Sequence, residues 1–170
     1  MTATPTTESL AAREPRPRLP EWPRRTIAIL TTVAENEPHA IPVSAPVRAD
    51  DQRLLLNLHR TRESLLRLRR RPRVALTILA SGNTAFTVRG PAHIVQERMT
   101  NAPDYAVVAI DVEQIDDHRQ PAFQVQEGIE RRWLDQSERD ALADRIRALT
   151  DAPHFPPRPR PANRTQPAQR

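Results

Sequence analysis

The chain contains no cysteine, which removes disulfides, thiolate nucleophiles and thiolate metal sites in one step. It contains no lysine, so its net charge of +5 rests on arginine alone. Only 3 glycines occur, too few for a phosphate-cradling glycine-rich loop, and neither a nucleophile elbow nor a paired-carboxylate signature is present. Redox chemistry would therefore need a cofactor. Aromatic residues make up 4% of the chain, which leaves no stacking platform and argues against nucleic acid as a partner, although a basic surface favours anions. No apolar run approaches the roughly 18 residues of a membrane span, and the first nineteen residues lack the apolar centre of a secretory signal. A cytoplasmic location without membrane contact is expected.

Proline, by contrast, is plentiful. Of its 18 copies, eleven lie in residues 1–25 and 151–170, among Arg, Thr, Gln and Ala. Such segments cannot bury enough apolar surface to offset the entropy of ordering them. The expectation is one folded domain over residues 21–151, between disordered tails at 1–20 and 152–170.

Within that domain Thr26 to Val33 (TIAILTTV) is β-branched and apolar and reads as a first strand. Pro38 to Val47 follows as an edge or bulged strand, since its prolines at 38, 42 and 46 cannot donate to a ladder. Arg53 to His59 (RLLLNLH) would complete a three-stranded meander. Thr61 offers a cap for a short helix over Arg62 to Arg70, with Leu65, Leu66 and Leu68 set among arginines and Pro72 ending it. Further strands are expected at Arg73 to Ala80, at Thr84 to Gln96 with a break at Gly90-Pro91, and at Tyr105 to Ile115. Ser137 then caps a helix from Glu138 to Leu149, on which Leu142, Ile146 and Leu149 recur at helical spacing. A mainly β, six-stranded antiparallel split barrel follows, with a short helix after the third strand and a second helix at the C-terminal end, because closure removes exposed strand edges.

Five short pieces in fixed order carry a resemblance. They are Ile29 to Val33, Pro38-His39 with Pro42-Val43, Arg53 to Leu56, Leu68 to Leu76 (LRRRPRVAL), and Val88 to Ala92. Over these residues the chain resembles the pyridoxamine 5′-phosphate oxidase-like family, the FMN-binding split barrels. The resemblance implies a homodimer that holds a flavin-type cofactor between its subunits and acts as an oxidoreductase on a small-molecule substrate. The implied cofactor is FMN, with the deazaflavin coenzyme F-420 as the alternative and haem, from a ligand such as His59, behind both.

The resemblance also implies where that cofactor would sit. Its phosphate would be gripped at His59, Thr61, Arg62 and Ser64, where a helix start offers free N–H groups and hydroxyls. The family commonly carries a lysine where this chain has Ser64, eight residues before Pro72, so Arg62 or Arg67 must supply the charge, or else these arginines are a solvated helix face. Pro42, Val43 and Ser44 match the segment that runs along the flavin ring, and Thr77 lies on a strand neighbouring the phosphate. The arginine run from 67 to 73 would also suit the anionic tail of a deazaflavin. No two histidines stand at metal-site spacing, so no metal is expected. Glu130 to Leu134 is only superficially similar to the substrate motif of the true oxidases, and the alternative function is a non-catalytic flavin, deazaflavin or haem binder or a structural split-barrel protein.

Overall fold

A computed structural model describes residues 17–35 and 37–151. Along them run β1 (Ile27–Ala34), β2 (Glu37–Ser44), β3 (Val47–Asp50), β4 (Arg53–His59), α1 (Glu63–Arg70), β5 (Arg73–Ala80), β6 (Thr84–Gln96), β7 (Tyr105–Asp111), β8 (Gln114–Asp117) and α2 (Gln136–Asp151). All strand pairings are antiparallel, and the order is β2-β1-β5-β6-β7-β4-β3 with β8 added beside β6. The two ends of that path, β2 and β3, are consecutive in the chain and separated only by Ala45 and Pro46. The sheet must therefore curl until its edges meet, which makes it a barrel.

Among the described residues, ladder bonds do not close it. Extending the register Val47↔Leu55 and Arg48↔Leu54 past Pro46 would set Ser44 level with Leu58 and Pro42 level with Arg60, yet β2 pairs only with β1. The barrel is split along this seam between β2 and β4. Ala45 takes a left-handed conformation at the kink, with φ 49°, and is held there by its N–H on the Thr26 carbonyl at 2.8 Å, while Trp22 Nε1 donates to Pro46 O at 3.0 Å. The second expected strand is thus two strands, and Arg53 to His59 pairs with β3 and β7, not with β2 as in a simple meander. Tyr105 to Ile115 likewise divides into β7 and β8.

The expected interruption at Gly90-Pro91 is a change of partner inside one continuous strand. Up to Pro91 the strand pairs with β5; from Ala92 it pairs with β7. A Cβ on Gly90 would stand 1.8 Å from the Asp111 carbonyl oxygen, so only glycine lets the two backbones pass.

Inside the barrel Leu30, Leu54, Leu56, Leu76, Ile78, Val88, Val108 and Ile110 are fully buried. Each such side chain contributes about 1.5–3 kcal/mol by leaving water. Leu65 and Leu68 of α1 join this core, whereas Leu66 is 57% exposed and does not belong to the buried face. A smaller cluster lies on the outside of the barrel, where Leu55, Val107 and Ala109 meet Met99 and Leu149 of α2. Strands β4 and β7 are therefore covered on both faces, which is why Arg53 to His59 reads as a nearly unbroken apolar run.

Both helix caps differ from expectation. Arg62, not Thr61, is the N-cap of α1, without a side-chain cap, and the Thr61 hydroxyl lies 2.8 Å from His59 Nδ1 instead. Helix α2 starts earlier than Ser137 because Asp135 Oδ1 accepts the Ser137 N–H at 2.7 Å. Leu19 is buried in the core and its N–H bonds to Asp51 O, so the expected N-terminal tail ends before the residues that line the barrel. The remainder of both tails lies outside the described residues. No helix among the described residues is long and apolar enough to cross a membrane.

Candidate functional site

Strand β4 leaves the barrel through a tight turn. Arg60 N–H bonds to Asp104 O at 2.8 Å and Arg62 N–H to His59 O at 2.9 Å, which leaves Thr61 and Arg62 exposed. His59 is half-buried on the outer face, bonded to Thr61, with its ring edge-on to Tyr105 at 5.2 Å. Ser64 points the other way and is buried in the barrel end at 2% exposure. Arg67 Nη2 donates to Glu63 Oε1 at 2.7 Å, and this bond holds the Glu63 carboxyl below its usual range.

Across the seam, Pro42 is exposed, Val43 is part of the core, and Ser44 is half-buried with its Oγ accepting from Arg131 Nη1 at 2.9 Å. Thr77 belongs elsewhere. Ile29 pairs with both Pro42 and Thr77, so Thr77 sits two strands from the seam on the outer face. There its hydroxyl meets Thr87 Oγ1 at 2.9 Å, which in turn meets His118 Nε2 at 2.8 Å. The fold thus brings Pro42 and Ser44 to one side of the seam and His59, Thr61 and Arg62 to the other. It sets Ser64, Val43 and Thr77 apart from both.

Buried polar atoms left without a partner are expensive, and in this chain they gather near the seam. Asn57 Nδ2 is one, on the same outer face of β4 as His59. Arg145 Nε is another: this α2 arginine is 9% exposed, its guanidinium lies 4.2 Å above the Tyr105 ring, and no carboxylate pairs with it among the described residues. Among the described residues, Arg67 Nε and Arg131 Nη2 are the other unpartnered guanidinium atoms, with His39 Nδ1 besides. Burial also lowers the Arg131 pKa below its ordinary value, a sign of a cation short of compensation. Donors in excess over acceptors suit an anion. A flat cofactor ending in phosphate fits that set: Asn57, His59, Thr61 and Arg145 would supply donors to the phosphate, and Ser44 and Arg131 to the polar edge of a ring.

Asn57, Arg131 and Arg145 were not among the candidates from sequence. Asn57 was the findable one, a lone amide at an outward position of an apolar strand; the two arginines are set in place only by tertiary contacts.

The arginine run is less free than its charge suggests. Arg69 pairs with Glu97 at 2.6 Å and Arg73 with Glu113 at 2.8 Å, and Arg71 donates to the Glu35 carbonyl. Asp111 is shared by Arg53 at 2.6 Å and His93 at 2.6 Å, a largely buried link between β4, β6 and β7. No three His, Cys, Asp or Glu side chains among the described residues converge to hold a metal ion.

Two clefts flank α2. One of about 690 Å³ opens between its C-terminal turns and the β6–β7 connection, lined in part by Met99, Asn101 and Leu149. The other, of about 830 Å³, lies between α2, residues 129–133 and the pair Arg24 and Arg25. Neither is lined by a residue singled out from sequence for the cofactor, but the second includes Arg131, which is bonded to Ser44 at the seam.

The family model for pyridoxamine 5′-phosphate oxidase matches residues 19–119, more than half of the chain. No curated protein matches it. Among solved structures, the chain is similar to general stress protein 26 of Bacillus anthracis, with 17% identity, 54% of this chain and 82% of that one covered, and a TM-score of 0.45. It is similar also to an F420 reductase, at 14% identity over 56% of this chain and 92% of that one, with a TM-score of 0.49. A flavin reductase in its native state aligns at 13% identity over 56% and 81%, with a TM-score of 0.45.

Proposed function

The chain belongs to the pyridoxamine 5′-phosphate oxidase family, and from that premise we propose that it is a flavin-dependent oxidoreductase whose FMN lies along the seam between β2 and β4. The observation that carries this reading is the concentration of unpartnered buried donors around that seam, Asn57 Nδ2, Arg131 Nη2 and Arg145 Nε. A bound flavin supplies hydride transfer at its ring. The protein's part is to bind, orient and shield. His59, Thr61, Asn57 and Arg145 hold the phosphate, and Arg62 closes over it from the exposed start of α1. Pro42 and Ser44 line the ring, with Arg131 fixed on Ser44 as a donor to its polar edge. Water is excluded from one side by the connection that leads into α2.

FMN is preferred to the deazaflavin coenzyme, because Arg69, Arg71 and Arg73 already have acceptors within the chain and offer little to an anionic tail. The active form is a homodimer. Ile27, Ile29, Thr31 and Val33 on the outer face of β1 are only half-covered, and Leu79 beside them on β5 is 42% exposed. An apolar face of this kind marks an interaction surface. A cytoplasmic location and a small organic substrate complete the proposal.

Spectroscopy on the purified full-length chain tests it. A flavin band, with one FMN released per chain on denaturation, is the expected result; a colourless protein that takes up neither FMN, deazaflavin nor haem would overturn it. One observation favours a second reading, a barrel that binds flavin without turnover: Ser64, where the family commonly has lysine, is buried away from the seam. Bound FMN that no nicotinamide reduces would select that reading.

A further inference from the structure

The larger cleft beside α2 shares Arg131 with the flavin reading, which leaves the rest of its charge and its shape unused. Five arginines line it against three carboxylates, and Trp133 and Ile129 add apolar surface. Arg24 and Arg25, just ahead of β1, have no ion-pair partner among the described residues, and neither does Arg139 of α2. Arg131 spends Nη1 on Ser44, keeps a buried Nη2 without an acceptor, and lies 5.2 Å from the centre of the Trp133 ring. Like charges held together around a concavity repel one another unless an anion joins them.

We infer that this cleft binds a small organic anion, bearing carboxylate or phosphate and an apolar portion, and that such anions are the substrate class of the flavin site beside it. The carboxylate or phosphate would lie between Arg131 and the Arg24–Arg25 pair, with two guanidinium groups able to form the parallel bonds such oxyanions accept. The apolar portion would rest on Trp133 and Ile129. The connection to the seam is short, because Arg131 donates to Ser44 Oγ and the Ala45 N–H donates to the carbonyl of Thr26, the residue after Arg25. The substrate assignment rests on the flavin reading; the anion site does not.

Calorimetric titration of the full-length, flavin-free chain with pyrophosphate and with citrate at low ionic strength provides the test, with Trp133 emission recorded in a Trp22→Phe background. The expected result is saturable binding of at least one anion with a change in that emission. Arg131→Gln and Arg25→Gln should each weaken it about tenfold, while Arg69→Gln, already paired with Glu97, leaves it unchanged. Absence of saturable binding overturns the inference. So does an equal loss in all three variants, which would mean diffuse charge, or, in a parallel titration of the FMN-loaded chain, displacement of bound FMN by either anion, which would make the cleft the flavin's own phosphate site. Arg25 is exposed, so its variant keeps the test decisive if Arg131→Gln does not fold. Anion binding without any FMN uptake would sink the flavin reading and leave the cleft standing; FMN uptake without anion binding would do the reverse.

Discussion

At the scale of single residues, two positions carry more than their size suggests. Gly90 is where β6 changes partner, and its missing side chain is the space through which the Asp111 carbonyl passes. Gly90→Ala should cost about 3 kcal/mol, since the obstacle is backbone and cannot rotate away; a urea midpoint equal to that of the parent would refute the point. Arg145 is a buried cation whose only described neighbour of note is the Tyr105 ring. If it meets the phosphate, Arg145→Gln should raise the dissociation constant for FMN about tenfold or more while leaving riboflavin, which has no phosphate, within roughly twofold of the parent. Equal effects on both flavins would assign Arg145 to packing alone. The parent's own preference for FMN over riboflavin must appear in the same titrations, so the comparison remains informative if the variant is unstable.

Among the elements, α2 is the one whose presence matters beyond its own stability, because it covers β4 and β7 and delivers Arg145. Its start is fixed by Asp135, whose carboxyl is held below the ordinary 3.8 chiefly by the Ser137 side chain and then by backbone N–H groups. A carboxylate whose folded pKa is depressed stabilises the folded state fully above its unfolded value and loses that contribution as pH falls through the folded one. Thermal melts followed by circular dichroism should therefore show Asp135→Ala less stable than the parent at neutral pH, the gap narrowing once pH falls below the ordinary carboxylate value. A gap that stays constant down to that range would mean the cap is not what anchors α2. The split between β2 and β3 is equally consequential. Had the chain run straight through Ala45 and Pro46, β2 would have paired with β4 and the seam would not exist.

For the whole molecule, the proposed dimer rests on the outer face of β1 and β5. Ile29 sits in the middle of that face, between Pro42 and Thr77. Ile29→Arg should convert a dimer to monomer in sedimentation and, with the seam left open to water, weaken FMN binding along with it. A parent chain that sediments as a monomer at micromolar concentration would remove the dimer from the proposal and leave the barrel intact.

The sequence by itself determined where most of the elements lie and the class of fold. Alternation in Thr26 to Val33, the two-sided run at Arg53 to His59 and the proline at 72 are local signals, and local signals depend on neighbours a few residues away. The resemblance over the barrel strands added the family and pointed to nine residues, of which Pro42 and Ser44 stand on β2 and His59 at the end of β4. Only the tertiary structure decided which face each side chain takes. Ser64 and Val43 turn into the core because a helix and a strand each present one side to the barrel interior, and the register of that side is set by packing. Arg131 and Arg145 lie beyond residue 119, where the family match ends, and reach the seam by contacts across 87 positions to Ser44 and 40 to Tyr105. Spacing along a chain holds no record of such distances, because they exist only once the barrel has closed and α2 has somewhere to lie.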